Sequence, residues 1–191
     1  MGGKVFNYQK AEKLLDPKRQ ELIPIDRVLQ LLDVNKEDIV SDLGCGNGYL
    51  TLPIAQKVNT NVVAVDLQAE MLELLEKRAM EANVGNVTLV QASLEKAGLD
   101  HHSMDKIVSA FVLHEVPELE KVMSDLHKAL KPNGKWLILD WEAIEMEMGP
   151  PLHERISSGR MADLLDEKGF QTEVGYFNQG VYYIVAAKKE A

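Results

Sequence analysis

Apolar positions along this chain fall into short runs separated by stretches of helical spacing. Ile39–Leu43 is a run too short for a helix and ends at Gly44, which predicts a buried strand. Tyr49–Val58 has the length and spacing of a helix. Val62–Leu67, VVAVDL, is rich in β-branched residues and reads as a second buried strand. Gln68–Ala82 places Met71, Leu72, Leu75 and Ala79 on one stripe and pairs Glu73 with Lys77 on the other face, the signature of an amphipathic helix. Val87–Ala92 and Lys106–Leu113 read as strands three and four. Pro117–Leu130 reads as a helix with proline in its first turn. KPNGK is a turn by composition, and Trp136–Trp141 is a fifth strand. Arg160–Lys168 reads as a helix stopped by Gly169. Gln171–Phe177 and Val181–Lys188 flank NQG as a hairpin.

Strand and helix alternate through most of this pattern, which predicts an α/β fold: one doubly wound domain over residues 1–191. The strands number seven, mostly parallel, and the C-terminal hairpin requires one to run antiparallel. Residues 38–141 form the alternating core, and 160–191 supply the last helix and the hairpin. Two segments stand outside the alternation. Residues 1–37 are a helical lead-in, with Phe6 and Tyr8 as natural lid residues, and 142–159 are an irregular insert after strand five. Both fall where a lid or pocket wall can form, because ligands of such sheets bind beyond the carboxyl ends of the strands.

Composition narrows the partners. The formal net charge is −9, a field that repels phosphate backbones, so no nucleic acid is expected. No apolar run approaches the roughly 18 residues of a membrane-spanning helix, so no membrane is expected. The opening MGGKVFNYQK has no apolar core of a signal peptide, and a single cysteine, Cys45, fits a reducing interior. The expected location is the cytoplasm. Nothing in the pattern speaks to oligomeric state.

The candidate chemistry begins at IVSDLGCGNGYL, where Gly44, Gly46 and Gly48 follow the first strand and open the first helix. Glycine tolerates positive φ and lets another group approach the backbone. One glycine is explained by a tight turn alone; three at alternate positions point to a ligand. The dinucleotide fingerprint would put a third glycine where Tyr49 stands, so that match fails. A phosphate-binding loop needs Lys and Ser or Thr after its last glycine, and Tyr49-Leu50 follows Gly48 instead. Asp42, just before the loop, is wrong for a phosphate and right for an ammonium group. Asp66 ends the second strand, where a carboxylate accepts both hydroxyls of a ribose. Its plainer reading is a cap for the helix from Gln68. A ribose, a cationic amino group and no required phosphate together describe S-adenosylmethionine.

On these residues the chain resembles the class I S-adenosylmethionine-dependent methyltransferases, and among them the ubiquinone and menaquinone biosynthesis group of small-molecule enzymes. The resemblance covers roughly residues 36–188. VSDLGCGNG is similar to the first motif, VVAVDLQAEML to the second strand and its helix, the stretch from Val87 to Val116 to strands three and four, and LKPNGKWLILD to the last turn and strand five. The resemblance implies a Rossmann-like fold with S-adenosylmethionine as cofactor. It implies that the methionine part lies along Asp42, Gly44, Cys45 and Gly46, and that Asp66 holds the ribose. Leu67 and Met71 would lie beside the adenine, Ala92, Ser93 and Leu94 would flank the base, and Ala110 and Phe111 would lie near the sulfonium. Where the group often has Gly-Asp, this chain has Ala92-Ser93, so the hydroxyl replaces a carboxylate as the acceptor for the adenine amino group.

Methyl transfer from a sulfonium is an in-line displacement in which orientation supplies much of the rate. A base helps when the acceptor is a hydroxyl. His114, after strand four in FVLHEV, is the candidate base; packing against the next helix is its plainer reading. His153 in the insert is a second choice, and His101-His102 reads as surface. No metal site is evident. The chain leaves no added domain for a macromolecular substrate, so the expected partner is a small-molecule methyl acceptor. Two alternatives stand: a module that binds S-adenosylmethionine without turnover, and a nicotinamide oxidoreductase, against which Tyr49 and Asp42 both argue.

Overall fold

A computed structural model describes residues 21–178 and 180–189, together with Gln9 and Asp16. The expected lid residues Phe6 and Tyr8 lie outside the described residues. The first helix described, α1 (Ile25–Leu32), turns Val28 and Leu32 into the core and ends at Asp33, whose left-handed backbone donates its N–H to the Leu29 carbonyl. Strand β1 (Val40–Leu43) is buried along its whole length. Then follow α2 (Thr51–Ala55), β2 (Val62–Asp66), α3 (Ala69–Glu81), β3 (Val87–Gln91), β4 (Met104–Ala110), α4 (Leu119–Ala129), β5 (Leu130–Trp141), α5 (Ser158–Glu167), β6 (Phe170–Asn178) and β7 (Val181–Lys188).

The seven strands form one sheet in the order β3-β2-β1-β4-β5-β7-β6. Strands β1 to β5 are parallel, and β7 runs antiparallel to both neighbours. Successive side chains leave opposite faces of a strand, so the sheet feeds two cores. On one face Leu43, Val65, Ile107, Trp136, Ile138 and Tyr182 pack with Val122 and Leu126 of α4 and Met161 and Leu165 of α5. On the other, Val40, Val62, Val108, Leu137 and Leu139 pack with α1 and α2. Leu72, Leu75 and Ala79 of α3 cover Ala64 on that same face, so the amphipathic stripe read from Gln68–Ala82 is the buried one.

Three boundaries differ from the sequence reading, each for a local reason. Strand β4 ends at Ala110, not Leu113, because Phe111 takes a left-handed backbone (φ 58°) and Leu113–Glu115 forms a 3₁₀ turn. The helix expected over Tyr49–Val58 is regular only over Thr51–Ala55; Lys57 N–H bonds back three residues to Ile54, and the chain turns toward β2. KPNGK does turn, but inside β5: Met104 and Lys106 pair with Leu130 and Lys135, so three residues of β4 face six of β5, with Asn133 at φ 63°.

Candidate active site

The carboxyl ends of the parallel strands lie along one edge, and the chain places an acid at three of them. Asp42 in β1 is 2% exposed and accepts the Thr51 hydroxyl at 2.6 Å. Asp66 closes β2, and Asp140 is the penultimate residue of β5. The glycine loop lies between the first two. Gly44 and Cys45 both donate their N–H to the Val65 carbonyl, at 2.8 and 3.0 Å, which ties the loop to β2. Gly44, Gly46 and Gly48 all adopt positive φ. A Cβ at Gly44 would stand 2.6 Å from Val112, so the loop also presses against the residue after Phe111.

Asp66 performs the capping role and a second one. One carboxylate oxygen accepts Gln68 N–H at 2.9 Å at the start of α3; the other accepts Gly46 N–H at 2.8 Å. The carboxylate therefore latches the glycine loop to the helix that follows. Leu67 N–H also favours the charged carboxylate, which offers about four acceptor positions in all. Burial pushes its carboxyl upward, against the opposing pull of these backbone donors. On the far side of the loop, the Arg78 guanidinium of α3 donates to the Asn47 carbonyl.

The other residues named from the sequence divide by exposure. Leu67 is 49% exposed at the edge. Ala92, bonded through its N–H to the Asp66 carbonyl, and Ser93 are partly exposed, while Leu94 turns into the core with Met71 also buried. Cys45 is buried, its Sγ 3.6 Å from the Gly46 carbonyl, and burial raises its thiol well above the ordinary range. It is a packing residue. His153, His101 and His102 lie at the surface. Ala110 and Phe111 reach the edge at the end of β4. The left-handed backbone of a bulky aromatic is a true outlier, of the kind found at functional sites. It is held by a bond from Phe111 N–H to the Leu139 carbonyl at 2.8 Å and by stacking on Trp141, with ring centroids 4.8 Å apart.

His114 is 8% exposed, and its Nδ1 lies 2.7 Å from an oxygen of Asp140, itself 1% exposed. Glu115 approaches Nε2 at 3.8 Å. Burial opposes charge on this ring, but Asp140, then Glu115 and Glu154, outweigh it and hold His114 above the ordinary value of 6.5. Sequence reasoning passed over Asp140. The signal was there: like Asp66, it is an acid at the carboxyl end of an otherwise apolar strand.

The insert after β5 closes over Trp141. Glu142 at its start accepts Ser158 N–H at 3.2 Å at its end. Between them Arg155 donates to the carbonyls of Pro150, Ile144 and Met148, each at 2.8 Å, and to Glu142 at 3.3 Å. Gly149 (φ +90°) sits where a Cβ would meet the Trp141 ring at 2.8 Å. A shallow, largely open hollow of about 640 Å³ lies on the insert, lined by Ile144, Met146 and Leu152 among others. Arg155→Ala is expected to loosen this segment alone. Amide exchange across 142–155 should accelerate, while the melting temperature falls only a few degrees, for a loss of about 1–2 kcal/mol. Unchanged exchange there would show that the carbonyls do not depend on Arg155.

A glycine loop latched to a strand-end acid, on the open edge of a 3-2-1-4-5-7-6 sheet, is the arrangement of a nucleoside-binding α/β fold. The fit to S-adenosylmethionine rests on the loop itself: glycines at positive φ leave a bare backbone whose Gly46 N–H lies beside the Asp66 carboxylate. Residues 40–134 match the family described as the methyltransferase domain. A crystal structure of a SAM-dependent methyltransferase from Aquifex aeolicus superimposes with a TM-score of 0.89 at 27% identity, covering 97% of this chain and all of that one. The demethylmenaquinone methyltransferase of Lactobacillus johnsonii is 32% identical over 112 residues, 57% of this chain and 46% of its own. The 2-phytyl-1,4-naphtoquinone methyltransferase of Nostoc sp. is 27% identical over 144 residues, 74% of this chain and 63% of its own. The chain carries a match to the methyltransferase domain and is similar to the class I S-adenosylmethionine-dependent methyltransferases, and within them to the ubiquinone/menaquinone type. It spans about half the length of the first curated relatives it matches: 46%, 49% and 51%. No helix among the described residues is long and apolar enough to cross a membrane.

Proposed function

We propose that this chain transfers a methyl group from S-adenosylmethionine to a small organic acceptor, and that a reduced quinone is the first acceptor to try. The observation that carries the reading is the Asp66 latch on the glycine loop, in a chain similar to this family. Asp66 takes the ribose hydroxyls. The loop Gly44–Gly46 and Asp42 hold the methionine portion. Leu67, Ala92 and Ser93 flank the adenine, with Leu94 and Met71 packed behind them, and Ala110 and Phe111 form the wall near the sulfonium. When bound, S-adenosylmethionine supplies the methyl group from that sulfonium. The chain's own contribution is to orient two reactants and exclude water, with His114 as the base.

The quinone reading draws on the printed names of two relatives. The net charge of −9 favours a small molecule over nucleic acid, and a lone cysteine favours the cytoplasm. Calorimetric titration with S-adenosylmethionine and, in parallel, NADH tests the cofactor; binding of the first and not the second is expected. Tritium transfer from labelled S-adenosylmethionine to menadiol then tests the acceptor. Binding of NADH alone would return the chain to the oxidoreductases. Binding of S-adenosylmethionine without methyl transfer to any acceptor would make it a binding module.

A further inference from the structure

His114 and Asp140 come from different strand ends and meet at 2.7 Å in a setting almost free of solvent. The same Asp140 oxygen also accepts Trp141 N–H at 2.8 Å. The other Asp140 oxygen and the Tyr182 hydroxyl are both buried without a hydrogen-bond partner among the described residues. Asp140 and Tyr182 are register partners across β5 and β7, so their side chains leave the same face of the sheet. A pair that merely tied the 113–115 turn to β5 would be served by neutral groups. A buried carboxylate with one oxygen left unbonded is a costly staple.

An ionised carboxylate only accepts hydrogen bonds, so in the neutral ring the proton sits on Nδ1. We propose that Asp140 is a positioning residue that fixes His114 as the Nδ1–H tautomer and leaves Nε2 as the ring's one proton acceptor, which fits the site to an acceptor that sheds a proton during transfer: a hydroxyl or an activated C–H. The inference rests on the methyl-transfer reading. The acceptor's electron pair forms the bond to the methyl carbon as the C–S pair returns to sulfur. The acceptor's proton passes to Nε2, and the resulting imidazolium stays paired with Asp140.

The groups facing the ring are Asp140 from β5, Glu115 from its own turn and Glu154 from the insert, with the Tyr182 hydroxyl of β7 beside Asp140. All three charged groups are acids. They favour the ammonium form of any amine acceptor, whose nitrogen then has no free electron pair to offer. A hydroxyl or C–H acid meets no such obstacle.

The tautomer can be read without knowing the acceptor. Spectra of the full chain carrying ¹⁵N-histidine, with His114 assigned through His114→Gln, are expected to show the Nδ1–H form alone, titrating above the ordinary histidine range. Asp140→Asn should mix the tautomers and lower the midpoint. A mixture in the wild-type protein would overturn the inference, and that result stands whether or not the variant folds. Labelled methyl transfer to menadiol and catechol, against benzylamine, tests the acceptor class. The rate should rise with pH through the His114 titration, because only the neutral ring takes a proton. Asp140→Asn should move that limb to lower pH and depress the plateau about a hundredfold, with S-adenosylmethionine affinity unchanged. Benzylamine methylated equally by wild type and His114→Gln would overturn the assignment. A fixed tautomer with no label on any of the three acceptors overturns the acceptor class but not the positioning role. Failure to bind S-adenosylmethionine would instead overturn the function proposed above and leave the tautomer result intact.

Discussion

Asp66→Ala is expected to weaken S-adenosylmethionine binding about a hundredfold while the protein still folds. Hydrogen bonds to a charged acceptor contribute about 1.5–3 kcal/mol each, and about 2.7 kcal/mol is a hundredfold in affinity. The substitution removes the proposed ribose acceptor and also releases Gly46 N–H and Gln68 N–H, so the loop loses its latch. Asp66→Asn is no gentler, because its amide NH₂ must face one of two N–H donors. The pH dependence has a definite sign. Burial raises the Asp66 carboxyl above its ordinary 3.8, so the charge is lost, and binding with it, at a higher pH than for an exposed aspartate. Calorimetry across a mildly acidic pH series reads both effects. Unchanged affinity in Asp66→Ala would remove Asp66 from the site.

Gly44→Ala should be the more damaging change for the fold. The backbone there has φ +73°, where a side chain costs about 1–2 kcal/mol. The new methyl would also stand 2.6 Å from Val112 Cγ2 and 2.8 Å from its Cβ. Valine is stiff about χ1 and has no rotamer that clears both, and overpacking of this kind adds about 1–3 kcal/mol. A total near 3 kcal/mol lowers the melting temperature by roughly 10 °C, with cofactor binding reduced because Val112 neighbours the strained Phe111. Gly98→Ala provides the control. It shares the positive φ (+67°), but the nearest atom to its Cβ is 3.8 Å away. Equal losses in the two variants would show that Val112 yields freely and that the close approach carries no weight.

Much of this architecture was legible because strand and helix spell themselves differently. The β-branched run at Val62 and the Met71–Ala79 stripe each announced an element and its buried face. Gly44, Gly46 and Asp66 could be assigned to one loop because the sheet topology dictates where strands β1 and β2 end together. What could not be read were pairings between distant segments. Nothing near Asp140 names His114 as its partner, since 26 residues and a helix separate them. Phe111 reads as ordinary strand sequence; its left-handed turn is imposed by Leu139 and Trp141 from the neighbouring strand. Arg155 looks like any surface cation, because carbonyl partners carry no signature in a sequence. KPNGK was a turn by chemistry and a bulge by context, a distinction set by the register of β4 against β5.

The place of β7 between β5 and β6 bears on how the chain is made. Strand β7 follows all the others in sequence, yet it pairs with β5 along Lys135–Trp141 and brings Tyr182 beside Asp140. During synthesis β5 therefore waits as an unpaired edge, and β6 leaves the ribosome before the strand that joins it to the sheet. The partners of the glycine loop, Val65, Asp66 and Val112, all precede the hairpin in sequence, whereas Tyr182 reaches Asp140 only when the hairpin docks. During synthesis the glycine-loop side can thus order before the side around His114 and Asp140, with the free edge of β5 open to wrong partners in the interval.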